Sequence, residues 1–203
     1  FANEYDTVDS ERTFTTSKKK TITIKGDSFG WEIDRAAEVE ALYDVLADGG
    51  SIYREPVFTQ TAFAYNEEND IGDTYIECDL TNQHLYCYID GELVYNSDLV
   101  SGCVAQGHTT PGGLYQIYYK ALNATLRGPR RPDGSFSYES PVSYWMPFNE
   151  GIGLHDARWR SEFGGDIYLK SGSHGCVNLP KATAAFLYEN YDVGTPVICY
   201  YYE

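Results

Sequence analysis

The sequence predicts a mainly β fold with few short helices. Its 203 residues include 19 tyrosines and 9 phenylalanines, and aromatic side chains pack well on the pleated surface of a sheet. In the stretch 114–119 the apolar positions alternate, which places Tyr115, Ile117 and Tyr119 on one face. Asp90-Gly91 joins two strand-like runs, and Asp-Gly is a favoured two-residue hairpin turn. The length fits one good-sized domain and part of a second.

Residues 1–65 predict a small, partial α+β module. Thr21–Lys25 alternates with period two and is expected to be a strand. Asp34 is expected to cap a helix that ends at Gly49-Gly50, followed by an extended piece at 53–58. This helix places four apolar side chains on one face: Val39, Leu42, Tyr43 and Leu46. We expect the chain to begin inside a longer protein, with a membrane anchor upstream.

A polar stretch at 64–73 marks the domain boundary, and strand signals follow it over 73–203. They lie at 75–80, 84–89, 93–100, 114–120, 142–148, 166–169 and 196–202. The run Gly-Pro-Arg-Arg-Pro-Asp-Gly at 128–134 predicts an exposed loop that borders a groove.

The charge of the chain excludes some partners. A net charge of −15 repels phosphate backbones and anionic lipid surfaces, so we expect no nucleic-acid partner. The oligomeric state is left open by the sequence.

Five cysteines are present: Cys78, Cys87, Cys103, Cys176 and Cys199. An odd number leaves at least one outside any intrachain disulfide. Without a Cys-x-x-Cys pair or a histidine cluster, no metal site is expected. Three of them, Cys78, Cys87 and Cys199, are interpreted as small buried side chains. Cys103, after a turn, could pair with Cys78 or Cys87 in an oxidising compartment.

The run Ser-His-Gly-Cys-Val-Asn at 173–178 predicts a nucleophile at Cys176. Because only the thiolate attacks, such a cysteine needs a base or a positive field beside it. Gly175 permits a sharp turn before it. Pro180 suits the first position of a helix over 181–188, whose positive end is expected to point toward Cys176.

His155 is the better candidate for the base. His174 stands two residues before Cys176, so on extended backbone the two side chains run nearly parallel, whereas a residue of another strand can point at the sulfur. A backbone carbonyl or another nearby oxygen would hold the second ring nitrogen of His155, and the carboxylate of Asp156 would add to this. His174 could bind substrate, tune the thiolate or hold the loop.

Other residues near the motif have two interpretations each. Ser173 and Asn178 either keep the loop or contact substrate, and the amides of Gly175 and Cys176 are candidates for an oxyanion hole. The aromatic pair Tyr144 and Trp145 walls a peptide groove or belongs to the core. The arginines Arg158 and Arg160 meet a substrate carboxylate or pair with surface acids.

These motifs resemble the L,D-transpeptidase catalytic domain, also called the YkuD domain. Besides the cysteine motif, the resemblance includes Thr-Pro-Gly-Gly at 110–113, Gly-Leu-His-Asp-Ala-Arg-Trp-Arg-Ser at 153–161, Phe-Gly-Gly at 163–165 and Gly-Thr-Pro-Val at 194–197. It covers 73–203. One position differs from the commonest pattern, since many members carry arginine where Asn178 stands.

The resemblance implies a β-sandwich that forms 3→3 cross-links in peptidoglycan outside the cytoplasm. Cys176 would form a thioester on a tetrapeptide stem, with His155 as base, Trp159 beside the substrate and no cofactor. Stem peptides and β-lactams of the carbapenem type are the implied partners. Residues 1–65 are similar to a peptidoglycan-binding module that precedes some of these domains. The alternatives are an L,D-carboxypeptidase or other cysteine peptidase, and a wall-binding module without activity.

Overall fold

The computed structural model describes residues 2–26, 29–49, 51–62 and 70–202. Its helices are α1 (Ala2–Tyr5), α2 (Arg35–Ala47), α3 (Ile167–Ser171) and α4 (Lys181–Asn190). The first strands are β1 (Glu11–Thr15), β2 (Thr21–Lys25), β3 (Glu32–Ile33), β4 (Phe58–Gln60), β5 (Tyr75–Asp79), β6 (His84–Ile89) and β7 (Glu92–Asp98). The remaining strands are β8 (Gly113–Gln116), β9 (Ala121–Arg127), β10 (Glu139–Asn149), β11 (Ile152–Asp156), β12 (Val177–Leu179) and β13 (Pro196–Tyr200).

Two larger sheets pack as a sandwich. One has the order β7-β6-β5-β13-β8 and the other β12-β11-β10-β9. Strand pairs β13/β5 and β11/β12 are parallel, and the other pairs of these sheets are antiparallel. Fully buried side chains from both sheets form one core: Ile76, Leu85, Met146, Phe148, Leu154, Val177 and Val197. The predicted mainly β sandwich with few short helices is confirmed.

Helix α4 closes one side of this core and follows the predicted nucleophile motif. It begins directly after Pro180, as expected, and buries Ala184 and Leu187. Pro180 itself, however, lies at the N-cap with ψ 145°, one position earlier than predicted. The extended backbone there fits a proline that leaves strand β12.

The N-terminal hairpin β1/β2 packs against the five-stranded sheet. Phe14 and Ile24 share a buried cluster with Ile198 of β13. The buried carboxylate of Glu77 accepts hydrogen bonds from the N–H (3.0 Å) and the hydroxyl (2.7 Å) of Ser17. Strand β1 was not predicted, because its charged and polar residues gave no apolar alternation. Most of the predicted domain boundary at 64–73 lies outside the described residues, which resume at residue 70.

Helix α2 begins where the sequence predicted. The Asp34 carboxylate caps it by accepting from the N–H groups of Ala36 (3.1 Å) and Ala37 (3.0 Å). The helix ends before Gly49, which has φ +66°, while Gly50 lies outside the described residues. Its apolar side chains are exposed: Val39, Leu42, Tyr43 and Leu46.

The predicted strand at 166–169 is wrong, because 167–169 belong to helix α3 and Asp166 is its N-cap. Its short apolar run fits either element, and periodicity alone does not separate the two over so few residues. In the described part of the chain, no helix is long and apolar enough to cross a membrane.

Candidate active site

The parallel pair β11/β12 brings the two halves of the site together. His155 lies opposite Asn178 in the register of these strands, and Cys176 stands immediately before β12. They open onto a cavity of about 170 Å³. Its lining residues are Leu126, Tyr138, Ser140, His155, Trp159, Arg160, Gly172, Ser173, His174, Cys176 and Asn178.

The Cys176 thiol is partly open to solvent, and its sulfur lies 3.6 Å from the carbonyl oxygen of Gly151. Burial among protein atoms raises the pKa of Cys176 to about 11, and a hydrogen bond from the Gly153 N–H opposes this only in part. Helix α4 begins only after the whole of β12, and its expected thiolate-favouring field at Cys176 stays a prediction. At neutral pH the group is a thiol and needs a base.

His155 is held in one tautomer by the backbone. Its Nδ1 lies 2.9 Å from the carbonyl oxygen of Asp156; because a carbonyl only accepts, Nδ1 carries the proton and Nε2 is left as the acceptor. Burial lowers the pKa of His155 below 6.5, and the charge of Arg160 lowers it further. The hydrogen bond to the Asp156 carbonyl and the charge of the Asp156 carboxylate act in the opposite direction but are outweighed. His155 is thus neutral near pH 7, as a general base must be.

Two indole rings lie beside the imidazole. The ring centroids of Trp145 and Trp159 each lie 5.9 Å from that of His155. Within the described residues no hydrogen bond joins His155 to Cys176, although both line the cavity. In structures without substrate such contacts are often long and tighten in the reacting complex.

Asp156 does not orient His155 through its carboxylate, contrary to expectation. Adjacent positions on a strand point to opposite faces, and the Asp156 carboxylate accepts from the N–H groups of Ser143 (2.6 Å) and Tyr144 (2.9 Å). Arg158 Nε adds a contact at 3.3 Å. Burial would raise the pKa of Asp156, but these hydrogen bonds outweigh it and lower the pKa. Asp156 therefore joins β10 to β11.

The loop before Cys176 is tied by two hydroxyl groups. Ser173 Oγ accepts from the Gly175 N–H at 3.0 Å and donates to the Cys176 carbonyl. Thr110 Oγ1 donates to the Gly175 carbonyl at 2.6 Å and accepts from the Gly102 N–H at 2.9 Å. Gly175 has φ +120°, a conformation that favours glycine. Its N–H is engaged by Ser173, which corrects its assignment to the oxyanion hole.

His174 is exposed at the rim of the cavity. Its ring stacks on Tyr138 with centroids 4.5 Å apart, and the ring of His108 lies 4.8 Å away. Burial lowers its pKa, and the neighbouring His108 adds to this. These contacts fit a side chain that shapes the rim.

Of the predicted substrate-contacting residues, Trp159 and Asn178 line the cavity, and the other three do not. Tyr144 points to the opposite face of β10 and contacts Tyr188 of α4. Trp145 is buried beside His155 and donates its Nε1–H to Tyr119 at 3.1 Å. The guanidinium of Arg158 is paired with Asp156 and Ser143.

Comparison with known proteins agrees with this geometry. The family model of the YkuD L,D-transpeptidase catalytic domain matches residues 73–199. The chain belongs to the L,D-transpeptidase family. No curated protein matches it.

Solved L,D-transpeptidase structures match this chain over most or all of its length. One shows the avibactam carbamoyl enzyme of Ldtfm, with 35% identity and a TM-score of 0.81, over 100% of this chain and 77% of that one. A mutant of the Enterococcus faecium L,D-transpeptidase has 36% identity and a TM-score of 0.80, over 98% and 77%. The E. faecium catalytic domain acylated by ertapenem has 44% identity and a TM-score of 0.56, over 64% and 98%.

Several residues in or near the cavity of this L,D-transpeptidase domain were not predicted. Leu126 and Tyr138, which flank the loop 128–134, line the cavity, and the predicted position of the loop itself beside a groove stays a prediction. Thr110 lies in the Thr-Pro-Gly-Gly motif, but its partner is 65 positions away, so no local signal showed its contact. Arg160 was weighed beside Arg158, and only Arg160 lines the cavity.

All five cysteines of the domain are free thiols, so the suggested pairing of Cys103 with Cys78 or Cys87 is not found. Cys103 is buried behind the cysteine loop, where its N–H donates to the Ser173 carbonyl at 2.9 Å. Among the described residues, no three His, Cys, Asp or Glu side chains are placed to hold a metal ion.

Proposed function

We propose that this chain is a peptidoglycan L,D-transpeptidase that forms 3→3 cross-links through a thioester on Cys176. The observation that supports this most is the pairing in one cavity of a protonated thiol, Cys176, with a neutral imidazole, His155, whose Nε2 is the acceptor. The sequence motif and the family membership support the same chemistry.

In the first half-reaction the sulfur of Cys176 attacks the carbonyl carbon of the third residue of a tetrapeptide stem. His155 Nε2 takes the thiol proton as the C–S bond forms, so no free thiolate is needed. The tetrahedral oxyanion then collapses and breaks the C–N bond to D-alanine. The imidazolium returns the proton to the departing nitrogen, leaving a thioester.

In the second half-reaction the side-chain amine of another stem attacks the thioester. His155 accepts a proton from the amine, and Cys176 leaves as the thiol when that proton is passed to sulfur. The acyl group has moved to nitrogen, which gives the 3→3 cross-link. Since the thioester stores the acyl group and one base serves both steps, the chemistry requires no cofactor.

The same site is expected to react with carbapenems. A β-lactam carbonyl can be attacked by Cys176 as the stem carbonyl is, and the structures of related enzymes that are named as acylated by ertapenem or carbamoylated by avibactam support this. We place the enzyme outside the cytoplasm, at the cell wall or cell surface, because its proposed substrate lies there.

Two other functions use the same fold. An L,D-carboxypeptidase would let water, in place of the amine, attack the thioester. A wall-binding module without activity would require a blocked nucleophile, whereas Cys176 lines an open cavity.

The test is to incubate the protein with a tetrapeptide stem and an amine acceptor, and to follow both protein and peptides by mass spectrometry. We expect an adduct of the tripeptide acyl mass on Cys176 and a cross-linked peptide as main product. Cys176→Ala, the matched control, should fold and form neither this adduct nor a carbapenem adduct. Free tripeptide as main product would instead support a carboxypeptidase, and an inert wild-type protein would support the binding module.

A further inference from the structure

Arg160 is a cation without an ion-pair partner among the described residues of a strongly acidic protein. The chain has 30 Asp and Glu residues against 15 Lys and Arg, so carboxylates are plentiful. Nevertheless, the Nε of Arg160 is buried without a hydrogen-bond partner, and no ion pair of Arg160 occurs within the described ranges. Its neighbour Arg158, by contrast, is satisfied by Asp156 at 3.3 Å and by Ser143 at 2.8 Å.

The position of Arg160 indicates what kind of group would serve as its counter-ion. It lines the same cavity as Cys176 and His155, and its charge acts on the imidazole, whose pKa it lowers. Burial also lowers the pKa of Arg160 itself, although a guanidinium stays protonated in proteins. A partly desolvated cation without a counter-ion costs stability, so a ligand that supplies an anion would regain that cost.

A second unsatisfied group lies in the same cavity. The Oδ1 of Asn178 is buried and has no hydrogen-bond partner in the part of the chain that the structure describes. The cavity therefore offers a planar cation with N–H donors and a neutral acceptor. A peptide segment that carries a carboxylate and an amide N–H matches both, since carboxylates take two parallel hydrogen bonds from a guanidinium and an amide N–H suits Asn178 Oδ1.

We propose that Arg160 is a specificity-determining residue that binds a carboxylate of the donor stem peptide while Cys176 attacks. This rests on the proposed function. Two carboxylates could serve: the α-carboxylate of the terminal D-alanine, and a side-chain carboxylate on the third residue. The recognition chemistry is the same for both, and the experiment separates them.

The experiment measures kcat/KM of acylation for three synthetic tetrapeptides. The first has both carboxylates free, the second has a C-terminal carboxamide, and the third has the side-chain carboxylate of residue three as its amide. These are tested on wild type, Arg160→Gln, Arg160→Lys and the control Arg35→Gln. Arg35 is exposed on α2, far along the chain, and its removal changes the net charge equally.

We expect Arg160→Gln to lower kcat/KM for the free peptide by about 10- to 100-fold, the usual worth of a hydrogen bond to a charged group. For the peptide that lacks the recognised carboxylate, wild type and Arg160→Gln should react equally slowly. Arg160→Lys should keep part of the rate, and Arg35→Gln should be unchanged. Any change in the pKa of His155 affects all three peptides alike and cancels in their ratio.

The inference is overturned if wild type prefers neither carboxylate, or if Arg160→Gln lowers the rates of all three peptides by one common factor. Thermal unfolding of each variant checks that it is folded. If Arg160→Gln does not fold, the comparison is made with Arg160→Lys. A wild-type protein that acylates no peptide contradicts the proposed function itself, a result distinct from the loss of carboxylate preference.

Discussion

His155 donates its Nδ1 proton to the carbonyl oxygen of Asp156, the next residue along β11, across 2.9 Å. The orientation of the base is therefore set by the main chain. The carboxylate of Asp156 instead links β11 to β10, since it accepts hydrogen bonds from the backbone N–H groups of Ser143 and Tyr144. Strand pairing and base orientation thus depend on different atoms of one residue.

The first prediction concerns the two histidines. His155→Ala should slow acylation of Cys176 on the order of 10²-fold or more, because a general base is lost. His174→Ala should cost less, because its exposed ring contacts Tyr138 and His108 at the rim. Rates of acyl-enzyme formation by mass spectrometry give the comparison. The reverse order would assign the base role to His174.

The second prediction is the pH dependence of kcat/KM for acylation. Burial lowers the pKa of His155 below 6.5, so the base is neutral above that pH and is lost as the pH falls through its folded value. The rate should fall tenfold per unit on the acid side and be level from neutral pH to about pH 9. A preformed thiolate with the raised pKa of about 11 would instead give a rate that keeps rising tenfold per unit across that range.

The third prediction concerns Thr110, which fixes the peptide plane before the nucleophile. Thr110→Val keeps the shape but removes the donor to the Gly175 carbonyl and the acceptor of the Gly102 N–H. We expect the free energy of unfolding to fall by about 1–3 kcal/mol, because a buried polar group is left unsatisfied, and acylation to be slowed tenfold or more. Thr110→Ser retains the hydroxyl, so its stability and its acylation rate should be close to those of the wild type.

Acylation kinetics and thermal unfolding of both Thr110 variants provide the measurement. A Thr110→Val protein that is less stable but acylates at the wild-type rate would limit Thr110 to a structural role.

The fourth prediction is that four cysteines are dispensable for the chemistry: Cys78, Cys87, Cys103 and Cys199. All are buried and free, and Cys103 supports the loop through its main chain. Their joint replacement by alanine or serine should lower stability, through cavities or unsatisfied hydroxyls. Folded protein should still acylate at Cys176 at a near-normal rate. If the joint variant does not fold, the four single variants are measured, and a folded single variant without acylation would place that thiol in the site.

Local signals predicted much of this protein. The cysteine motif, the helix after Pro180, the Asp34 cap and most strands of the sandwich follow from turn residues, capping groups and alternation within a few positions of the chain. Such signals do not depend on distant residues, which is why the sequence was sufficient for them. Strands β1, β9, β11 and β12 were not predicted, and helix α3 was predicted as a strand, because their short runs have weak or ambiguous periodicity.

By itself, the sequence determined the nucleophile motif, its histidines and the family chemistry they imply. Only the tertiary structure decided which neighbours are engaged. Arg158 is neutralised by Asp156 while Arg160 lines the cavity, and Gly175 is fixed by Thr110 from 65 positions away. Partners so distant in sequence meet only because the segment before β8 pairs with the loop before β12 at Gly102 and Ser173, and such pairing between distant segments decides which side chains meet.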